Sequence, residues 1–515
     1  MRLRVSDCTC AITGVSRPAT VCGTTPDPCP IWTMSPGPPG PAGIIPPVEK
    51  TPSSPKTSAL AKAWQRLRGR TERGPALGDL PCIPVAADRV LTLTDPVAFR
   101  ETLLGLIAQA RERILIATLY LQDDDAGREV LSALYAAKAA RPELEIAVFV
   151  DWHRAQRGLI GKTKSAGNAT LYREMARRLG PGVPAYGVPV QTREMMGVMH
   201  LKGFILDDTV LYSGASLNDV YLQRNQRYRL DRYHLLQDRH LADSLAGLLL
   251  HVMRPSPAVH ALDTEAAPTT ASLRAPIIRF RRVLAKTHYH MAAGTIRKGE
   301  VGITPLLGLG SRDNELNAVL LKLTRHAQHH LVLFTPYFNL PGPLRRAVGV
   351  KIKEGCKVTI VLGDKIANDF YIPPEEPFKP IGALPYLYEG NLRRFCKTHQ
   401  GAIDQGLLNV HLWRHEHHTF HLKGLLVDED YALLTGNNIN PRAWRLDLEN
   451  GLLIHDPHKK LQDQHQAELE RILVHTQRLD HYRSLETMDT YPAPVQRLLK
   501  RLTHARMDRL VNQIL

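Results

Sequence analysis

A chain of 515 residues is long enough for two to four domains, so disulfide staples are not needed, and 23% charged with 43% hydrophobic residues is the balance of a folded chain, not a disordered one. Lys plus Arg (66) exceed Asp plus Glu (50), giving +16, a surplus that favours anionic partners such as nucleic acid, phosphate ligands or acidic lipid surfaces. No apolar run reaches the roughly 18 residues that cross a bilayer, and the N-terminus lacks the apolar region of a secretory signal, so neither membrane spanning nor export is expected.

Residues 1 to about 75 are rich in Pro, Gly, Ser and Thr without an apolar period, which reads as a linker-like tail; residues 1–87 are assigned to it. Cys8, Cys10, Cys22 and Cys29 lie there without a CxxC pair or a neighbouring histidine, so neither a zinc site nor a disulfide framework is expected. Met34 is an alternative start, and the basic stretch Lys62 to Arg73 reads as a solvated segment.

From residue 88 helical and strand-like segments alternate. Phe99 to Ala110 has helical spacing, Ile114 to Leu121 and Glu145 to Val150 are strand-like, and these fall in a first lobe, 88–270. The order returns in a second lobe, 271–480, as Leu316 to Leu323, Leu331 to Phe338 and Val358 to Leu362, so the expected class is α/β with a duplicated unit. In the last segment, 481–515, Val495, Leu498, Leu499, Leu502 and Leu510 follow helical spacing among Arg497, Lys500, Arg501, Arg506 and Arg509. Two readings stand equal for it: a helix lying among anionic headgroups, or one whose apolar stripe packs on the second lobe.

The chemistry is duplicated as well. Met199-His200-Leu201-Lys202 through Asp207 and Phe420-His421-Leu422-Lys423 through Asp428 are both H-x-K-x4-D, and each leads to G-x3-N, ending at Asn218 and Asn440. Val198 to Leu206 reads as a strand, on which His200 and Lys202 share a face and can meet one phosphate. A neutral imidazole serves as nucleophile or proton acceptor, and lysine stabilises oxygens that gain charge in the transition state. Asp207 and Asp428, on the opposite face, are expected to position and to give electrostatic support. No metal-ligand cluster accompanies either motif, and the lysines supply positive charge, so the expected chemistry needs no metal or other cofactor. The run His411, His415, His417, His418 and His421 is too irregular for a metal site, and its last member is already a catalytic candidate.

At these residues the chain resembles the phospholipase D superfamily, whose signature is the doubled H-x-K-x4-D. Asp151 to Gly158, Tyr212 to Asp219, Thr335 to Pro341 and Thr435 to Asn450 are similar to the Gram-negative type of phosphatidylserine synthase, and the likeness runs from about residue 88 to the C-terminus. The resemblance implies two phospholipase D-like lobes, each a mixed sheet flanked by helices, with the active site at their interface. It implies transfer of a phosphatidyl group from CDP-diacylglycerol to L-serine with release of CMP, through a phosphatidyl-histidine intermediate. His200 is then the nucleophile and His421 the base of the second step, with Lys202 and Lys423 on the phosphate oxygens. Asn218 and Asn440 are expected to donate to the same group, Asn438 competing with Asn440, and Glu449 to orient the histidine of the other lobe. Asp151, His153 and Arg154 contact serine or the cytidine diphosphate, or else form a structural salt bridge. A diacyl substrate implies a cytoplasmic protein working peripherally at an anionic membrane surface, the inner face of the cytoplasmic membrane, with no specific nucleic-acid partner. The alternatives are a cardiolipin synthase-like transferase, a phospholipase or a nuclease.

Overall fold

The computed structural model describes residues 76–504 apart from 159–166, 265–266 and 374. The early cysteines, Met34, the stretch Lys62 to Arg73, and Arg506, Arg509 and Leu510 lie outside these residues. Two large mixed sheets carry the unit Gly74–Leu515.

Each sheet is built the same way. In the first, the parallel strands Ala185–Val188, Glu145–Asp151 and Arg113–Ala117 are followed across the sheet by the antiparallel Gly203–Leu206, Thr209–Ser213 and Tyr233–Gln237. In the second, Leu408–Trp413, Lys357–Gly363 and His330–Thr335 are followed by Gly424–Val427, Tyr431–Thr435 and Leu448–His455 in the same order. The parallel strands are apolar almost throughout because helices such as Pro96–Gln109, capped by Asp95, and Glu315–His326, capped by Asn314, cover them. One buried cluster runs through both sheets, joining Phe204 and Tyr212 to Leu309, Leu434 and Leu448, so the halves share a core.

Two expectations need correction, and one open choice between equal readings is decided. Ile83–Ala86, assigned to the tail, is the edge strand of the second sheet and pairs antiparallel with Glu300–Leu309. Its alternating burial, which one short segment hides in sequence, becomes meaningful only beside that distant partner. The strand expected from Val198 begins only at Gly203; His200 and Lys202 sit on its extended approach, touching the second half through a bridge from Met199 to Leu448. The helix Ala493–His504 turns its apolar stripe inward: Val495 and Leu499 pack with Tyr386 and Tyr491, while Arg497, Lys500 and Arg501 are exposed. Packing therefore claims the apolar face that headgroups would need. Among the described residues no helix is long and apolar enough to cross a membrane.

The two motif aspartates also stand away from where they were expected. Asp207 and Asp428 occupy the hairpin turns after Gly203–Leu206 and Gly424–Val427, both in the left-handed region (φ 52° and 48°). Asp207 accepts backbone N–H groups of Arg111, Glu112 and Arg113 at 2.8, 2.7 and 3.0 Å. Asp428 accepts those of Gln328, His329 and His330 at 3.0, 2.8 and 2.8 Å. Each thus clamps the start of the neighbouring parallel strand, roughly 16 Å of extended chain beyond its lysine, which is a positioning task. Although burial opposes it, the backbone donors hold the Asp428 carboxyl below its ordinary value.

Asp207→Ala and Asp428→Ala should each lower unfolding free energy by about 2 kcal/mol in urea titrations, because three backbone donors lose their acceptor. For Asp428 that contribution is present above the ordinary carboxylate range and lost as pH falls through its lowered value. Leu499→Ala should cost about 2 to 3 kcal/mol, and removal of residues 494–515 should lower Tm while leaving vesicle binding in place; lost vesicle binding with unchanged Tm contradicts the packing role.

Candidate active site

The approach to His200 is held by the other half. Val198 N–H donates to Asp447 Oδ1 (2.9 Å), His200 N–H to the Leu448 carbonyl (2.8 Å) and Lys202 N–H to Asn450 Oδ1 (2.9 Å), while Asn450 Nδ2 donates to the Lys202 carbonyl (2.8 Å). Met199 N–H donates to Asp151 Oδ2 at 2.9 Å. These side chains do the work of a ladder partner, which is why the strand can start late without orphaned backbone groups. The second motif is held in the corresponding way: His421 N–H donates to the Leu230 carbonyl (2.9 Å), and Thr419–Phe420 pairs with Arg229–Leu230.

Each imidazole meets a carboxylate of the opposite half. His200 Nδ1 lies 3.0 and 2.9 Å from the two Glu449 oxygens. His421 Nδ1 lies 3.8 Å from Asp231 Oδ2, which accepts from Lys423 Nζ at 2.7 Å. Leu230-Asp231 thus corresponds to Leu448-Glu449. Asp231 escaped sequence reasoning, although the repeated apolar-acidic dipeptide after each motif is a signal that could have found it. Close approach of the halves requires glycine at two points: a Cβ at Gly214 would lie 2.7 Å from Asp231 Oδ1 and 2.8 Å from Lys423 Nζ, and one at Gly436 would lie 2.6 Å from Lys202 Cγ.

Both motifs form one electrostatic centre. Burial, then Lys202, Lys423 and His421, push the His200 imidazole well below its ordinary value. Burial and then Asp447 push the Glu449 carboxyl well up. Burial and Lys423 push Lys202 down to about 7, and it donates to Ser216 Oγ at 2.9 Å. Burial and Lys423 push His421 down to about 4. Against its own burial, Asp231 is held below the usual carboxylate range by Lys423.

The two rings differ in tautomer. An ammonium only donates, so with Lys423 charged its close contact makes His421 Nδ1 the acceptor and leaves the ring proton on Nε2. An ionised Glu449 only accepts, so with it ionised Nδ1 of His200 carries the ring proton and Nε2 keeps a lone pair, which takes no hydrogen bond among the described residues. Around His421, the Tyr221 hydroxyl lies 2.9 Å from Nδ1, and Asp369 Oδ2 lies 3.7 Å from Nε2. Tyr221 and Asp369 carry no motif, and only the fold assembles them.

The other sequence candidates do less at the centre. Asn218 caps its turn through Tyr221 N–H (3.1 Å) and donates to Gln122 (3.3 Å); Asn440 caps the helix Pro441–Arg445 through Ala443 N–H (2.9 Å). Both oxygens are thus committed to backbone, the cost of forming these turns. Asn438 accepts from Thr335 Oγ1 through its carbonyl (3.0 Å), and its buried Oδ1 has no hydrogen bond among the described residues. Asp151 is fully buried and also accepts from His153 and Arg154 N–H (3.0 and 2.9 Å). His153 Nε2 meets the Gln191 carbonyl at 2.7 Å, and Arg154 lies over the Tyr120 ring at 4.9 Å. Asp151 therefore positions the His200 approach in place of a salt bridge to its neighbours. In the histidine run, His415, Glu416 and His418 come within 4.8 Å of one another. Tyr228 N–H donates to His418 Nδ1 (3.2 Å), so Nε2 keeps the ring proton and offers no lone pair to a metal. A cavity of 730 Å³ opens beside the site turns, lined by Phe338, Leu340, Pro441 and Trp444 with Arg345 and Arg394 at its edge.

Paired lysines, one imidazole with a free lone pair and one with a free N–H suit displacement at an anionic phosphorus. Residues 320–473 match the family described as "Cardiolipin synthase, PLD-like domain". The chain is 48% identical over 448 residues to the CDP-diacylglycerol–serine O-phosphatidyltransferase PssA of Escherichia coli (strain K12), covering 87% of this chain and 99% of that protein. It is 45% identical to the crystal structure of phosphatidylserine synthase from Haemophilus influenzae, with TM-score 0.83 over 87% of this chain and 99% of that one. More distantly, it is 22% identical over 505 residues to the CDP-diacylglycerol–glycerol-3-phosphate 3-phosphatidyltransferase of Schizosaccharomyces pombe, covering 82% of this chain and 96% of that protein.

Sulfate, whose own charge is constant between pH 6 and 8.5, should bind this centre about tenfold more weakly at the upper limit, because Lys202 is charged below about 7 and neutral above it. Calorimetry on Lys202→Met should show weak binding with most of that pH dependence gone.

Proposed function

Because the chain belongs to the CDP-diacylglycerol–serine O-phosphatidyltransferase family, as 48% identity along 99% of a relative shows, we propose a two-step mechanism in which His200 carries the lipid. The enzyme transfers a phosphatidyl group from CDP-diacylglycerol to L-serine and releases CMP. In the first step the His200 Nε2 lone pair attacks the phosphatidyl phosphorus, a P–N bond forms and the P–O bond to CMP breaks. His421 gives its Nε2 proton to the departing oxygen while Lys423 passes one to Nδ1. In the second step His421 Nε2 takes the serine hydroxyl proton, the serine oxygen attacks phosphorus, the P–N electrons return to His200 and Nδ1 returns its proton to Lys423. Protons and charge balance over the cycle, and two displacements retain configuration at phosphorus.

The observation that carries this assignment is the unequal surroundings of the two Nδ1 atoms, both oxygens of Glu449 at His200 and the Lys423 amine at His421, from which we read Nδ1–H on His200 and Nε2–H on His421. Lys202 neutralises the charge that grows on the non-bridging oxygens. A diacyl substrate resides in a bilayer, so we place the enzyme on an anionic membrane surface, which the net charge of +16 favours. On this reading it works peripherally, on the inner face of the cytoplasmic membrane.

CDP-diacylglycerol supplied with serine, glycerol 3-phosphate, phosphatidylglycerol or water alone, in the presence of chelator, should release CMP in a serine-dependent way; equal release with water marks a hydrolase. His200→Ala and His421→Ala should each lower turnover by orders of magnitude with the fold intact, and Glu449→Gln by about 10² to 10⁴, as expected when the tautomer-setting carboxylate is lost. Rapid quenching should trap lipid phosphate on His200; finding it on His421 reverses the assignment.

A further inference from the structure

The centre repeats its parts, but the surroundings of its two histidines are unequal. Beyond the shared carboxylate, His421 faces Asp369, whose Oδ2 lies 3.7 Å from Nε2 and accepts from the Tyr337 hydroxyl at 3.0 Å. Asp369 Oδ1 lies 2.9 Å from Arg229 Nε, and the Arg229 guanidinium lies 4.8 Å from the centre of the Tyr221 ring. Asp369 belongs to the segment between the strand Lys357–Gly363 and the helix Leu384–Thr398; at the same place the first half continues directly into the short helix Trp152–Gln156. Parts that act on the phosphorus in both displacements are needed twice. Beside His200 the residue corresponding to Arg229 is Asp447, paired with Arg442, so the charge pair next to the proposed base of the second step differs in make-up and placement and fits what differs between the steps, namely the acceptor.

We propose that Arg229 and Asp369 form the acceptor subsite and recognise the zwitterion of an α-amino acid, Arg229 binding its carboxylate and Asp369 its ammonium, which sets the β-hydroxyl at His421 Nε2. This rests on the serine-transfer reading above. The exchange costs no unpaired charge, because each member of the protein pair trades its partner for an opposite charge on the ligand. The existing contact is open to such a trade: among the described residues no well-aligned hydrogen bond reaches the buried Asp369 Oδ1, and the Arg229 and Asp369 side chains keep 17% and 11% of their surface exposed. Arg229 also donates to Thr419 Oγ1 at 3.3 Å, two residues before His421, which places the pair next to the base. A site built for both charges rejects an acceptor lacking either, since one buried protein charge is then left bare.

The test measures KM and kcat for L-serine, for ethanolamine, which lacks the carboxylate, and for 3-hydroxypropionate, which lacks the ammonium. Arg229→Gln should raise the serine KM 10- to 100-fold and cut the preference for serine over ethanolamine by a similar factor, with Arg229→Lys restoring part of it. Asp369→Asn should instead cut the preference over 3-hydroxypropionate. Uniform losses on all acceptors, or an unchanged serine KM, overturn the proposal. Should either variant prove misfolded by circular dichroism, the unmodified protein decides: L-serine methyl ester and N-acetyl-L-serine should each show at least tenfold higher KM than L-serine, and equal KM values overturn the subsite. If the unmodified protein releases no CMP in response to serine, it is the transfer reading that falls, a result distinct from all of these.

Discussion

Four buried cationic or imidazole side chains, His200, Lys202, His421 and Lys423, share one centre with two buried carboxylates, Glu449 and Asp231, and each carboxylate comes from the half opposite the histidine it faces. Burying the lysines alone would be prohibitive, and removing one partner of such a group typically costs about 3 to 5 kcal/mol. The exchange of carboxylates therefore fixes how the halves must sit. It also explains the glycines at 214 and 436, where any side chain would drive the opposing lysine out of place. Neither half contains a finished site, and the shared core that runs through both sheets keeps the unfinished parts together.

Symmetry provides the parts, and small departures from it assign their work. Both histidines have their backbone N–H on a leucine carbonyl of the other half, Leu448 or Leu230. The longer Glu449 reaches Nδ1 of His200 with both oxygens, whereas the shorter Asp231 stops 3.8 Å from His421 and is taken by Lys423 instead. One methylene thus separates an imidazole with a lone pair facing away from its carboxylate from one with a proton there. On the proposed mechanism this difference sets which ring attacks phosphorus and which moves protons.

The third letter of the signature serves the fold. Asp207 and Asp428 accept three backbone donors each and sit in the left-handed region, so they combine a hairpin turn with a clamp on the adjacent strand. Short carboxylates suit both tasks, because aspartate tolerates that backbone conformation and reaches neighbouring N–H groups without added length. A motif can recur together because its members are needed together, without all of them touching the reacting atoms.

The duplicated α/β order, both H-x-K pairs and the paired turns at Gly214 to Asn218 and Gly436 to Asn440 were determined by local pattern alone, since apolar periodicity and motif spacing are properties of neighbouring residues. Glu449 could be read only because a resemblance pointed to it and Asp231 only through the repeated apolar-acidic dipeptide, whereas Asn450, Tyr221, Arg229 and Asp369 could not, as each acts on a group about 50 to 250 positions away. Ile83–Ala86 and the inward face of Ala493–His504 were hidden for the same reason: an edge strand and a packed amphipathic helix look like a tail and a surface helix until their partners are present. The chain by itself specified which chemistry is carried; the packing of one half against the other decided which carboxylate meets which imidazole, because protonation and tautomer depend on burial and on the identity of the nearest charge, and neither exists before the chain is folded.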